Sequence, residues 1–218
     1  MKNFHLNPVR SPQQARLETR PVRSKTEASN EVKQFLTQQD SGRPPKGLIS
    51  NGVNHYERAF GNWLIDNHVQ YIAVDEKKRA ALGRSKIKSF DYLLYPPCSQ
   101  IIVAEVKGRK FKGTSFAKLA GFECWVTADD IEGLARWQEV FGTRHTTYFV
   151  FAYRIENIDV DFDGREVYDF AGGRYIFFAV KLDDYRKFMK LRSPKWRTVT
   201  LPADKFRQCA VQMQNLLL

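Results

Sequence analysis

Cysteine is scarce in this chain. Cys98, Cys124 and Cys209 are scattered and form no C-x-x-C pair. That leaves no basis for a disulfide framework or a zinc site, and it points to a reducing, cytoplasmic setting. No apolar run is long enough to cross a bilayer, so no membrane partner is expected. Residues 1–23 are polar, basic and broken by proline, without the apolar stretch of a signal peptide. Internal repeats are lacking. Acidic residues are in deficit as well: 24 Asp and Glu stand against 35 Lys and Arg, a formal net charge of +11. An excess of that sign suits a polyanionic partner.

What is present divides into two parts. Residues 1–50 hold Pro8, Pro12, Pro21, Pro44 and Pro45 together with Arg10, Arg16, Arg20, Arg23 and Lys25. Such a segment buries too little apolar surface to offset chain entropy. It reads as a disordered basic arm able to touch phosphates, with at most a short helix around Val32, Phe35 and Leu36. Residues 51–218 read as one domain, with a C-terminal extension from about residue 154. A hydrophobic content of 43% is enough to fill a core of that size.

Within the domain, Asn54 stands where it would cap a helix whose apolar stripe is Tyr56, Ala59, Phe60, Trp63 and Leu64. Residues 69–74 read as a strand. Residues 87–94 and 101–107 read as a hairpin bent by Pro96-Pro97. Thr127 and Asp130 form a capping box with Asp in place of Glu, opening a helix that Gly142 stops. Residues 146–153 are strongly β-prone. Residues 167–170 and 174–181 flank Ala171-Gly172-Gly173 as a second hairpin. A short basic helix is expected over 183–190, and a last helix from about 202 to Leu217. The expected fold class is therefore α/β: a central mixed sheet flanked by helices, in the order helix–strand–strand–strand–helix–strand.

Asp91 and Glu105 fall on neighbouring strands, and Lys107 shares the sheet face of Glu105 because it lies two residues on. Glu57 lies on the helix before them. Magnesium prefers hard oxygen ligands and keeps several waters, so Asp91, Glu105 and the Val106 backbone carbonyl suffice to hold it, with Glu57 in the outer shell. Mn²⁺ is an expected substitute. A cation held there lowers the pKa of bound water and neutralises charge on a phosphodiester. Lys107 stands where it would hold the attacking water or the scissile phosphate.

Glu57, Phe90-Asp91 and Glu105-Val106-Lys107, in this order of elements, resemble the PD-(D/E)XK nuclease superfamily, the restriction endonuclease-like and Holliday-junction resolvase-like fold. Phe90 stands where the family name carries proline, and the likeness covers the middle half of the chain. It implies Asp91 and Glu105 as metal ligands, Lys107 as the catalytic lysine, and Mg²⁺-dependent hydrolysis of DNA that leaves a 5′-phosphate. RNA stays open as a substrate, and a homodimer is an expectation by analogy alone. The helix after the third strand carries an auxiliary Gln or Lys in some members, which makes Gln138 a candidate beside an ordinary core-edge glutamine. His55 is a weaker one, beside a satisfied helix-start histidine.

Lys86, Lys88, Arg109, Lys110 and Lys112 surround the motif and read as a phosphate-tracking groove, against a solvated loop. Lys187, Lys190, Arg192, Lys195, Trp196 and Arg197 belong to a second basic–aromatic cluster, which reads equally as a nucleic-acid contact or a solvated face. Residues 159–164 imitate a calcium loop, but Phe170 stands where the closing glutamate is needed, so a tight acidic turn is expected. Two rivals to the nuclease remain: the same fold holding nucleic acid without cutting it, and a structural component whose Glu-x-Lys is fortuitous.

Overall fold

The computed structural model describes residues 54–74, 81–82, 85–86, 88–97 and 100–218. The expected N-terminal arm and Cys98 lie outside the described residues, as does most of the charged connection over 75–87. Helix α1 spans His55–Asp66, and the Asn54 side chain accepts from the Tyr56 N–H at 3.2 Å. Strand β1 (Gln70–Ala73) and two short strands, β2 (Ala81–Leu82) and β3 (Ser85–Lys86), precede β4 (Tyr92–Tyr95) and β5 (Ile101–Phe111). Strand β6 (Val126–Thr127) leads into helix α2 (Ala128–Phe141), and β7 (His145–Ile155) follows. The extension adds β8 (Tyr168–Phe170), β9 (Gly173–Lys181), α3 (Leu182–Phe188), β10 (Lys190–Ser193), β11 (Thr198–Thr200), α4 (Ala203–Cys209), β12 (Val211–Gln212) and α5 (Met213–Leu217).

Among the described residues the main sheet has seven strands. Its path runs β1-β4-β5-β7-β9-β12, and β8 joins β9. Pairs β1/β4 and β4/β5 are antiparallel, whereas β5 and β7 are parallel along eleven residue pairs from Ile101↔His145 to Phe111↔Ile155. The parallel pair needs a crossover, and α2 supplies it. This is the expected mixed α/β architecture and element order, with β2, β3 and β6 inserted.

Alternation along β5 divides the interior in two. Ile102, Ala104 and Val106 face α1 and pack with Ala59, Phe60, Trp63 and Leu64. Val103 faces α2 and packs with Ile131, Leu134, Trp137, Phe149 and Phe151. Both helices show the stripe that the sequence carries, since a helix buries residues three and four apart while a strand buries every second one. No described helix is long and apolar enough to cross a membrane.

Differences from the sequence reading lie in β4, the strand expected over 87–94, which begins only at Tyr92 so that Asp91 stands just before it, and in the extension. The basic helix ends at Phe188, and Lys190 begins a strand. The last helix is two helices, because Val211 and Gln212 leave the helical path to pair with Ala179 and Phe178 at the sheet edge. The glycine hairpin forms as expected: Ala171 and Gly172 both have positive φ, 49° and 75°, and Phe170 pairs with Gly173. The acidic turn forms too, with the Asp161 carboxylate accepting from the Asp163 N–H at 2.9 Å.

Gly108 fixes how closely α1 approaches β5. A Cβ there would lie 2.1 Å from Cδ2 of the Tyr56 ring. Gly108→Ala therefore drives the helix start off the strand and is expected to lower stability by about 1–3 kcal/mol, read as a reduced urea midpoint at unchanged m-value.

Candidate active site

The site lies where β4 stops and β5 continues. The last ladder pair is Tyr92↔Ala104, followed by a bond from the Asp91 N–H to the Ala104 carbonyl at 3.0 Å. Beyond it the Val106 N–H has no strand to donate to, and the Asp91 carboxylate accepts it at 2.6 Å. Both partners are buried, Asp91 at 5% exposure. Continuing the β4/β5 register sets Asp91 opposite Glu105, on the α2 side of the sheet with Leu93 and Val103. Strand alternation also turns the Val106 carbonyl toward the edge that β4 has left.

Glu105 is 3% exposed. Its Oε1 accepts from Lys107 Nζ at 2.7 Å and lies 3.4 Å from Lys88 Nζ. Its Oε2 is buried and has no hydrogen-bond partner among the described residues. Asp130, at 4% exposure, completes the cluster. Its Oδ1 lies 3.1 Å from Lys107 Nζ and pairs with Lys88 Nζ. Its Oδ2 accepts from the Thr127 N–H at 2.8 Å, while Thr127 Oγ1 accepts from the Asp130 N–H at 3.1 Å.

Burial on its own would raise the Asp130 carboxyl. The Lys107 charge, the Lys88 hydrogen bond, the Thr127 N–H and the Lys88 charge outweigh it and hold the group at about 2. Burial alone would likewise lower the Lys88 ammonium, but Glu105 and Asp130 push it up.

Asp130 is the site residue that sequence reasoning missed. It was legible as half of a capping box, but its reach to Lys88, 42 residues away, depends on how α2 crosses the sheet. Gln138, the residue expected from that helix, lies two turns further on and donates to Asp183 at 3.4 Å. It does not join the cluster.

Glu57 approaches from the other layer. Its backbone carbonyl accepts from the Tyr92 hydroxyl at 2.9 Å. Burial, followed by the charges of Asp91 and Glu57, raises the Tyr92 phenol, so both carboxylates act on that ring. Among the described residues, however, no three His, Cys, Asp or Glu side chains form a group that could hold a metal ion. Glu57 does not complete a triad with Asp91 and Glu105. His55 stands edge-on to Tyr56, ring centroids 3.9 Å apart, and its pKa is lowered by burial and by Arg154, Arg58 and Lys110.

The expected basic groove is only partly formed. Lys110 and Lys112 are exposed, although Lys110 lies 3.5 Å from Glu156. Lys88 turns inward to the acids. Arg109 turns inward too: its guanidinium lies 3.8 Å from the centroid of the Trp125 ring and donates to the Gly108 and Trp125 carbonyls. The reason is residues 112–125, whose Phe116, Leu119, Phe122 and Cys124 are buried and close that segment over the strand end. The Lys86 side chain lies outside the described residues.

Asp91 and Glu105 form a hard-oxygen pair, and the buried Oε2 of Glu105 has no partner among the described residues. The donor set thus fits a divalent cation held by two carboxylates and a backbone carbonyl.

No family model and no curated protein matches the chain. Among solved structures, the chain is similar to Hjc, a Holliday junction resolvase from the archaeal hyperthermophile Archaeoglobus fulgidus. The identity is 13% and the TM-score 0.43, over 75% of this chain and 98% of that one. A likeness of that degree carries no argument about activity.

The low Asp130 pKa has a consequence for stability. Its folded value of about 2 lies below the ordinary 3.8, so the stabilisation is full above that range and is lost as pH falls through it. Asp130→Asn is expected to lower unfolding free energy by about 2 kcal/mol near neutrality. The gap to wild type closes on acidification from about pH 4 to about pH 2, as denaturant melts at several pH values would measure.

Proposed function

We propose that the chain is a metal-dependent nuclease that hydrolyses DNA phosphodiester bonds. The observation that carries this reading is the buried Oε2 of Glu105, which has no partner among the described residues, on the sheet face that also bears Asp91 and Lys107. Magnesium, when bound by Asp91, Glu105 and the Val106 carbonyl, would supply a water of lowered pKa and charge neutralisation for the phosphate. Asp91, whose Oδ2 fixes the Val106 amide, would be one of the carboxylates holding the metal. Lys107, held by Glu105 and Asp130, presents its ammonium beside the carboxylates and positions the water or a phosphate oxygen. Lys88 offsets the acids before DNA arrives. Glu57 would support the metal through water.

The formal charges of Asp91, Glu105 and Asp130 exceed those of Lys88 and Lys107 by one. The cluster therefore keeps a net attraction for a cation, and the surrounding excess of positive charge favours a polyanion. A second reading is favoured because, among the described residues, no three His, Cys, Asp or Glu side chains group to hold a metal ion: the same fold holding nucleic acid without cutting it.

Cleavage of supercoiled, branched and single-stranded DNA with Mg²⁺ or Mn²⁺, and with EDTA as control, separates the two. Lys107→Ala is expected to lower the cleavage rate by about a hundredfold or more. Asp91→Asn, which keeps an acceptor for the Val106 amide, should do the same with an unchanged circular dichroism spectrum. Wild-type rates in either variant overturn the assignment, and binding without metal-dependent cleavage establishes the second reading.

Calorimetry gives a separate check on the metal. Mn²⁺ uptake by the wild-type protein is expected to vanish in Glu105→Gln.

A further inference from the structure

Strands β10 and β11 form a hairpin whose turn, residues 194–197, stands beside the candidate site. Strand β11 pairs with β6 through Thr198↔Thr127 and Val199↔Val126, so the hairpin is registered on the cap of α2. The Arg197 carbonyl accepts from the Ala128 N–H at 2.8 Å, and its guanidinium lies 2.9 Å from Asp129 and 3.4 Å from Glu132. Asp130, the next residue in that turn of helix, touches Lys107. The turn is thus fastened at the rim of the cluster.

Its composition is one-sided. From Met189 to Pro202 there is no acid, while Lys190, Arg192, Lys195 and Arg197 are basic. All four are exposed. Trp196 sits at the tip with 69% of its surface in solvent, and Leu191 has 66%. Lys195 Nζ lies 5.3 Å from the Trp196 ring centroid, and Arg192 lies 5.1 Å from that of Trp125. An indole kept in water at the apex of a cationic hairpin contributes nothing to the core. It is the combination that binds unpaired nucleic acid: cations follow the backbone and the indole stacks on a base. A fully paired duplex keeps its bases stacked on one another and offers the indole no face.

We propose that this hairpin binds a single-stranded DNA segment adjoining the scissile phosphate, with Trp196 stacked on an unpaired base, so that the substrate class is DNA with a single-stranded portion. The proposal rests on the nuclease reading for the position of that phosphate, but binding by the hairpin does not depend on cleavage.

The test is fluorescence anisotropy of the full chain with labelled oligo-dT and with a duplex of equal length, in EDTA so that nothing is cut. Wild type and Lys107→Ala are expected to bind the single strand more tightly than the duplex. Trp196→Ala should weaken single-strand binding about tenfold and leave duplex binding unchanged, whereas Trp196→Phe stays near wild type. Trp196 is exposed, so an unchanged thermal melt is expected and checks the fold. Equal binding of both DNA forms by wild type, no effect of Trp196→Ala, or equal weakening of both forms overturns the proposal. The Trp196 effect without Mg²⁺-dependent cleavage sinks the nuclease reading and leaves the hairpin site standing; cleavage without the Trp196 effect does the reverse.

Discussion

The hydrogen bond from the Val106 amide to the Asp91 carboxylate is the contact on which the candidate site depends. A strand that outruns its neighbour leaves a row of unpaired amides, and a buried unpaired amide is costly. Here a side chain takes the place of the missing strand. The substitution ends β4 without exposing β5 and carries an acid into the interior. It also fixes that acid opposite Glu105. The parallel pairing of β5 with β7 continues undisturbed to Phe111, so the fork opens on one side of a strand that stays rigid on the other.

Around this fork the charges are arranged as a closed set with one gap. Lys107 and Lys88 each contact both Glu105 and Asp130. Buried carboxylates persist only when paired in this way. The gap is the second oxygen of Glu105. The cluster shields its acids with ammonium groups while leaving one hard oxygen without a partner among the described residues. The extension meets the same place from outside, through the strand pairing that ties Thr198 to Thr127.

Much of this was legible in the sequence because it rests on short periods. Two-residue alternation put Glu105 and Lys107 on one face, the proline turn set Asp91 against them, and three- and four-residue spacing gave the buried stripes of both helices. Thr127 and Asp130 announced the helix start. What escaped depends on contacts between distant segments. The inward turn of Arg109 follows from the aromatic segment packed over it, and the pairing of Lys88 with Asp130 follows from the crossing of α2 over β5. The break at Ala210 exists because the outer edge of β9 accepts Val211 and Gln212, which no local pattern encodes.

Asp130 closes the first turn of α2 with one oxygen and holds the lysines with the other. Fraying of that turn therefore removes one of the two carboxylates that hold Lys107, the other being Glu105. A helix end that stays closed keeps one of the ammonium's two acceptors in place. The adjoining hairpin, fastened to the same turn through Arg197, shares in that coupling.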